Sequence, residues 1–212
     1  MPKVWKFGEA PLEETERYAA LSRRVSTLVL QMEAPSEIVA ELNEALARAE
    51  SRLAALAPAD SRPRVGPDSE GDGRLYLDHS RDVGAYNPAF PTYALAVDDD
   101  GAFGTVTFPV LYEGPPGIVH GGFLAAFFDM VVQHHNCDVG TAGKTTRLEV
   151  RYSAPTPLEK ELRFEIERRL DDRRIESTAR LFDGGTLCAT ATMRAVASDL
   201  AALPFASSRR RR

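Results

Sequence analysis

The sequence predicts an α+β chain in which an antiparallel sheet wraps one long buried helix, with a helical hairpin ahead of it. Three observations predict this. Apolar residues recur at steps of three and four in the first fifty-odd positions and alternate in the last third. Between the two regimes lies HGGFLAAFFDMVVQHH, apolar almost all round, the signature of a helix covered on every side. Short turn-forming stretches then separate four alternating segments.

Taken in order, residues 11 to 57 are rich in Ala, Leu, Glu and Arg. Tyr18, Leu21, Val25, Leu28, Val29 and Met32 form one apolar stripe. Ile38, Leu42, Leu46, Ala49, Leu53 and Leu56 form a second, with Pro35 placed at the first turn of its helix. Both stripes are expected to be buried. PADSRPRVGPDSEGDG, residues 58 to 73, reads as a linker. RLYLDH alternates, and ALAVDDDGAFGTVTF reads as two strands around an Asp-Gly turn. Next comes a Gly/Pro loop, LYEGPPGIV, and then the buried helix. Strands follow through Thr146, Leu148, Val150 and Tyr152; Leu162, Phe164 and Ile166; Ile175, Ser177, Ala179 and Leu181; and Leu187, Ala189, Ala191 and Met193. Turns at Leu170 to Arg173 and Asp183 to Gly185 suggest antiparallel hairpins. The division expected is a helical hairpin at 1–60, a linker at 61–73, the sheet-and-helix domain at 74–198 and a tail at 199–212.

Composition narrows the function. The 212 residues carry 26 Lys+Arg against 31 Asp+Glu, a net charge of −5 that would not collect nucleic acid. Residues 1 to 60 hold ten acids and seven bases, so the hairpin is a poor phosphate binder too. Two cysteines, Cys137 and Cys188, exclude a disulfide framework and a CxxC-type site, and suit a reducing compartment. The opening MPKVWKFGEAPLEE has no apolar signal core, and FLAAFF is far too short to cross a bilayer. A cytoplasmic protein without membrane attachment is expected.

The chemistry is concentrated in GPPGIVHGGFLAAFFD, Gly114 to Asp129. His120, Gly121 and Gly122 stand where loop becomes helix. The first amides of a helix lack internal acceptors and the helix dipole is positive there, so this end suits an anion or developing oxyanion. Glycines allow a ligand oxygen to approach the backbone closely. Asp129 interrupts the apolar helix, and an ionised carboxylate in such surroundings is costly unless partnered. Gln133, one turn on, is a candidate partner.

The constellation resembles the hotdog-fold acyl-CoA thioesterase superfamily, its PaaI-like group in particular. The resemblance rests on HGG with Asp129 at the ninth position after His120, and on Tyr152-x-x-Pro155-x-Pro157-Leu158. It covers residues 74 to 197 and implies hydrolysis of an acyl-CoA thioester without a metal or cofactor. It implies Asp129 as general base or nucleophile, the Gly121 amide as oxyanion donor, and His120 as the residue ordering the loop. It further implies that Thr145 of a neighbouring subunit positions water, so that the chain works as a homodimer or dimer of dimers. Two positions depart from relatives: Met130 follows the Asp, and Gly114 stands where some have Asn. Gly122, Thr146, Arg173 and Arg174 complete the expected substrate contacts, the two arginines facing CoA phosphates.

The same residues admit competing readings. His134, His135, Cys137 and Asp138 invite a metal site with His79 or His120, but adjacent histidines diverge by about 100° on a helix and no His-x-x-x-His pair occurs. Cys188 lacks the electropositive niche of a nucleophile. A hydratase within the same fold would need a His on the face of Asp129, which His134 does not occupy. The reading from another class is a non-catalytic acyl-CoA sensor with the acidic hairpin as its interaction element. The run Gln133 to Asp138 has no account at this level.

Overall fold

The structure, a computed structural model, describes residues 12–57, 81–98, 101–140 and 143–197. Helices α1 (Glu13–Leu30) and α2 (Glu37–Leu56) come first, followed by one helical turn, α3 (Val83–Tyr86). Strands β1 (Tyr93–Val97) and β2 (Gly101–Thr107) precede the long helix α4 (Gly121–Asp138). Strands β3 (Gly143–Tyr152), β4 (Glu161–Asp171), β5 (Arg174–Asp183) and β6 (Thr186–Ala197) complete the chain. The expected linker, tail and RLYLDH strand lie outside the described residues.

All six strands form one antiparallel sheet in the order β1-β2-β4-β5-β6-β3. Alternation decides its inner face. Leu162, Phe164 and Ile166 of β4, Ile175, Ala179 and Leu181 of β5, and Ala189, Ala191 and Met193 of β6 are buried. Most of them enclose Leu124, Phe127, Phe128 and Val131 of α4. Phe127 meets Phe108, Tyr93 and Phe164 edge-on at ring-centroid distances of 5.4, 6.2 and 5.3 Å, the favoured geometry for aromatic pairs. Tight hairpins link β4 to β5 and β5 to β6, as the turns predict. Strand β3 does not pair with its successor. It lies beside β6 at the sheet edge, a crossover that alternation cannot reveal.

Helix α4 is not covered all round. Gly122 is exposed, and Ala125, Ala126, Asp129 and Gln133 are only partly buried, so one face stays half-open. The apolar stripes of α1 and α2 also differ from expectation. Helix α1 docks through Thr15, Ala19 and Arg23 instead, at steps of four. The Arg23 guanidinium donates to the carbonyls of Gly84 (2.8 Å), Asn87 (3.1 Å) and Phe90 (3.3 Å). Burial lowers the Arg23 pKa, yet its Nη1 lies within reach of three carbonyls that an apolar side chain would leave without a donor. Tyr18 and Leu28 remain exposed, and α2 buries no residue; Ile38 and Leu56 are 74% and 82% exposed. Periodicity locates an apolar face but does not say what covers it.

Candidate active site

The loop before α4 is built to hold its first turn. The backbone of Gly114 donates to Ile118 O and His120 to Tyr112 O, both at 2.9 Å. Gly117 closes the loop at φ +76°, a conformation that favours glycine. The Pro155-x-Pro157 segment runs alongside, with Val119 donating to Thr156 O at 2.9 Å and Ile118 bridging Pro157. A Cβ on residue 114 would lie 2.8 Å from the His120 Cα, so the departure from Asn at this position accompanies close packing of loop on loop.

His120 is the N-cap of α4. Its Nδ1 accepts from Gly122 N at 3.0 Å, which places the ring proton on Nε2. Its carbonyl accepts from Phe123 (2.9 Å) and Leu124 (3.2 Å). Among the described residues, Gly121 N–H is thus the first-turn amide left without an acceptor. Tyr152 lies over Gly121, its Oη donating to the Gly121 carbonyl at 2.8 Å. The amide of the exposed Gly122 is bonded to the His120 ring, so a substrate contact at this residue would not run through its N–H.

Two turns along, the half-buried Asp129 accepts at Oδ1 from Thr145 Oγ1 at 2.8 Å. Both residues belong to one chain, which corrects the expectation that the hydroxyl reaching Asp129 comes from a neighbouring subunit. The reason is a break in alternation. Leu148 and Val150 of β3 pack on the core, and strict alternation would continue through Thr146. The register shifts between Thr145 and Arg147, so Thr145 turns to the helix instead. Thr146 Oγ1 donates to Arg194 O at 3.1 Å and does not reach Asp129. Gln133 meets Asp129 only through Thr145, donating to its Oγ1 at 2.8 Å.

The rest of the polar run is now accounted for. His134 Nδ1 lies 2.6 Å from Tyr93 Oη, and its Nε2 faces Asp138, which also pairs with Arg81. Burial lowers the pKa of His134 and His135, with Arg168 adding to the effect on His135, and pushes the Cys137 thiol up to about 11. Asn136, fully buried, is held by Arg168. No group of three potential metal ligands occurs among the described residues. Arg173 donates to Ala197 O at 3.1 Å, and Arg174 pairs with Val196 at the sheet end that also carries Lys144. Sequence reasoning missed Arg168 as an inward residue, although it shares the parity of Leu162, Phe164 and Ile166.

Comparison with known proteins finds similarity over α4 and the strands that follow it. Residues 112–196 match the family model of the acyl-CoA thioesterase N-terminal domain. A crystal structure of a thioesterase superfamily protein is 28% identical, covers 90% of this chain and 98% of its own, and superposes with a TM-score of 0.69. A putative thioesterase of Ralstonia eutropha JMP134, a phenylacetic acid degradation-related protein, is 22% identical over 49% of this chain and 83% of its own, with a TM-score of 0.46. A thioesterase protein of Streptococcus pneumoniae TIGR4, solved with coenzyme A, is 17% identical over 50% of this chain and 89% of its own, at 0.48. No curated protein matches. Residues 112–196 are thus similar to an acyl-CoA thioesterase domain, and the fold is that of the thioesterase superfamily structure, with both N-terminal helices ahead of the sheet. No described helix is long and apolar enough to cross a membrane.

Proposed function

We propose that this chain hydrolyses an acyl-CoA thioester to free acid and CoA. The observation that carries the reading is the Asp129 carboxylate, bonded to the Thr145 hydroxyl on a half-open helix face. The single proton of Thr145 goes to Asp129, and one oxygen lone pair accepts from Gln133. A second lone pair remains, able to accept one hydrogen of a water whose other hydrogen faces Asp129. Asp129 removes that proton as the water oxygen attacks the thioester carbon. The carbonyl oxygen becomes an oxyanion on a Gly121 N–H, and collapse breaks the C–S bond. CoA leaves as thiolate and takes the proton back from Asp129. Arg173 and Arg174 are proposed to meet the CoA phosphates.

One chain cannot supply both ends of this site. At 1.5 Å per residue, Gly121 and Asp129 are about 12 Å apart along α4. A homodimer in which the Gly121 amide of one copy faces Asp129 and Thr145 of the other removes the gap. The small residues Gly122, Ala125 and Ala126 on the half-open face, and the place of β3 at the end of the sheet among the described residues, support that arrangement.

The test is thiol release over a panel of acyl-CoA chain lengths. Asp129→Asn is expected to abolish turnover, whereas wild-type activity in both Asp129→Asn and Asp129→Ala would refute the mechanism. Mixing Asp129→Asn with Gly121→Val chains is expected to restore turnover through mixed dimers. No recovery from exchanged subunits, or a micromolar monomer by light scattering, overturns the shared site.

A further inference from the structure

We propose that Gln133, Asn136 and Arg168 are positioning residues that fix the Thr145 hydroxyl as a donor to Asp129; this rests on the catalytic reading above. Four hydrogen bonds run in line. Arg168 Nε donates to Asn136 Oδ1 at 2.8 Å, and Asn136 Nδ2 donates to Gln133 Oε1 at 3.4 Å. Gln133 Nε2 donates to Thr145 Oγ1 at 2.8 Å, and Thr145 donates to Asp129 Oδ1 at 2.8 Å.

The direction of the line follows from its far end. A guanidinium has only donors, so the oxygen of Asn136 must face Arg168 and its amide nitrogen must face onward. Gln133 then presents oxygen to Asn136 and nitrogen to Thr145. Thr145 must accept from Gln133, and of its two acceptors, Asp129 Oδ1 at 2.8 Å and Met193 Sδ at 3.4 Å, the carboxylate oxygen is the stronger and takes the proton. A hydroxyl alone could rotate and donate to water or backbone instead; here rotation would break the bond at each end. The line also places a cation at one end and the carboxylate at the other, with every intervening dipole aligned. Asn136 is fully buried, so its two bonds are not exchanged for water.

Gln133→Glu is the sharpest probe because it is nearly isosteric. The new carboxylate still accepts from Asn136 but can only accept from Thr145, drawing the hydroxyl proton away from Asp129. Arg168→Met removes the far end, and Arg168→Lys keeps a donor there. In the thiol-release assay, Gln133→Glu and Arg168→Met are expected to lower kcat about tenfold, the effect of one hydrogen bond lost from the transition state. KM stays near wild type, melting curves remain cooperative, and Arg168→Lys recovers most of the rate. Should Arg168→Met fail to fold, Gln133→Glu decides alone. Wild-type kcat in Gln133→Glu, or a change confined to KM, overturns the proposal provided Asp129→Asn is inactive. If Arg168→Lys is as slow as Arg168→Met, Arg168 has no donor role in the line. An active Asp129→Asn instead refutes the catalytic reading itself, so the two failures are distinct.

Discussion

Replacing Gly121 by alanine puts a methyl group where the Tyr152 ring now lies. An ideal Cβ stands 3.1 Å from both Cζ and Oη of Tyr152 and 3.4 Å from Cε1. The ring must move by a few tenths of an ångström. It can, because Tyr152 is 53% exposed on an edge strand. Moving it weakens the Tyr152 Oη to Gly121 O bond, which contributes about 1 kcal/mol. Alanine returns up to about 1 kcal/mol over glycine in a helix. The sum is close to zero, so Tm is expected to shift by no more than about 4 °C for a chain of this size. Turnover should respond differently. The methyl and the displaced Tyr152 ring narrow the approach of a carbonyl oxygen to the Gly121 amide, and an oxyanion donor put out of reach costs up to about 10²-fold in kcat. Thermal melting beside thiol release separates the two effects, with Tyr152→Phe as a control that removes the hydroxyl without adding bulk. An unchanged Tm with unchanged kcat would refute the reasoning that a methyl here hinders the carbonyl, since alanine keeps the amide itself. A fall in Tm of about 10 °C would instead show that the Tyr152 ring is not free to yield.

Other expectations concern the scaffold. Phe164→Ala empties a fully buried site flanked edge-on by Phe127 and Tyr93, and is expected to cost about 3–5 kcal/mol in urea unfolding. Gly104→Ala sets a Cβ onto the Ala94 carbonyl and 2.6 Å from Phe164 Cζ, so β1 must shift, at a cost of about 3 kcal/mol in the same assay. Burial lowers the His135 pKa from its ordinary 6.5, so the unfolded chain binds the extra proton first. Stability is therefore full above about pH 6.5 and falls as pH drops through that value. Differential scanning calorimetry from pH 7.5 to 5 should show the decline, and His135→Gln should flatten it; parallel curves would assign the acid sensitivity elsewhere. With its pKa pushed up to about 11, the Cys137 thiol should react slowly with a disulfide reagent at pH 8, against fast labelling of the chain in urea.

Much of this was legible in the residues. The change from a three-to-four step to alternation located both N-terminal helices, α4, and β3 to β6, because side-chain direction is set locally by backbone period. The HGG motif and Asp129 were legible for a related reason. A capped helix start and a lone acid among apolar neighbours are departures from pattern, and departures need a chemical reason. The Gln133 to Asp138 run stood out in the same way but stayed unexplained, since its partners Tyr93, Thr145 and Arg168 arrive from three different strands.

Local pattern was therefore enough for the elements and for the residue types at the chemical centre. Tertiary structure alone decided how they meet. It put β3 at the edge beside β6, and a register shift there chose Thr145 over Thr146 to face Asp129. It left the apolar stripes of α1 and α2 exposed and docked α1 through Arg23. Period and spacing are properties of the local backbone, whereas pairing, bulges and docking depend on contacts between residues far apart in the chain.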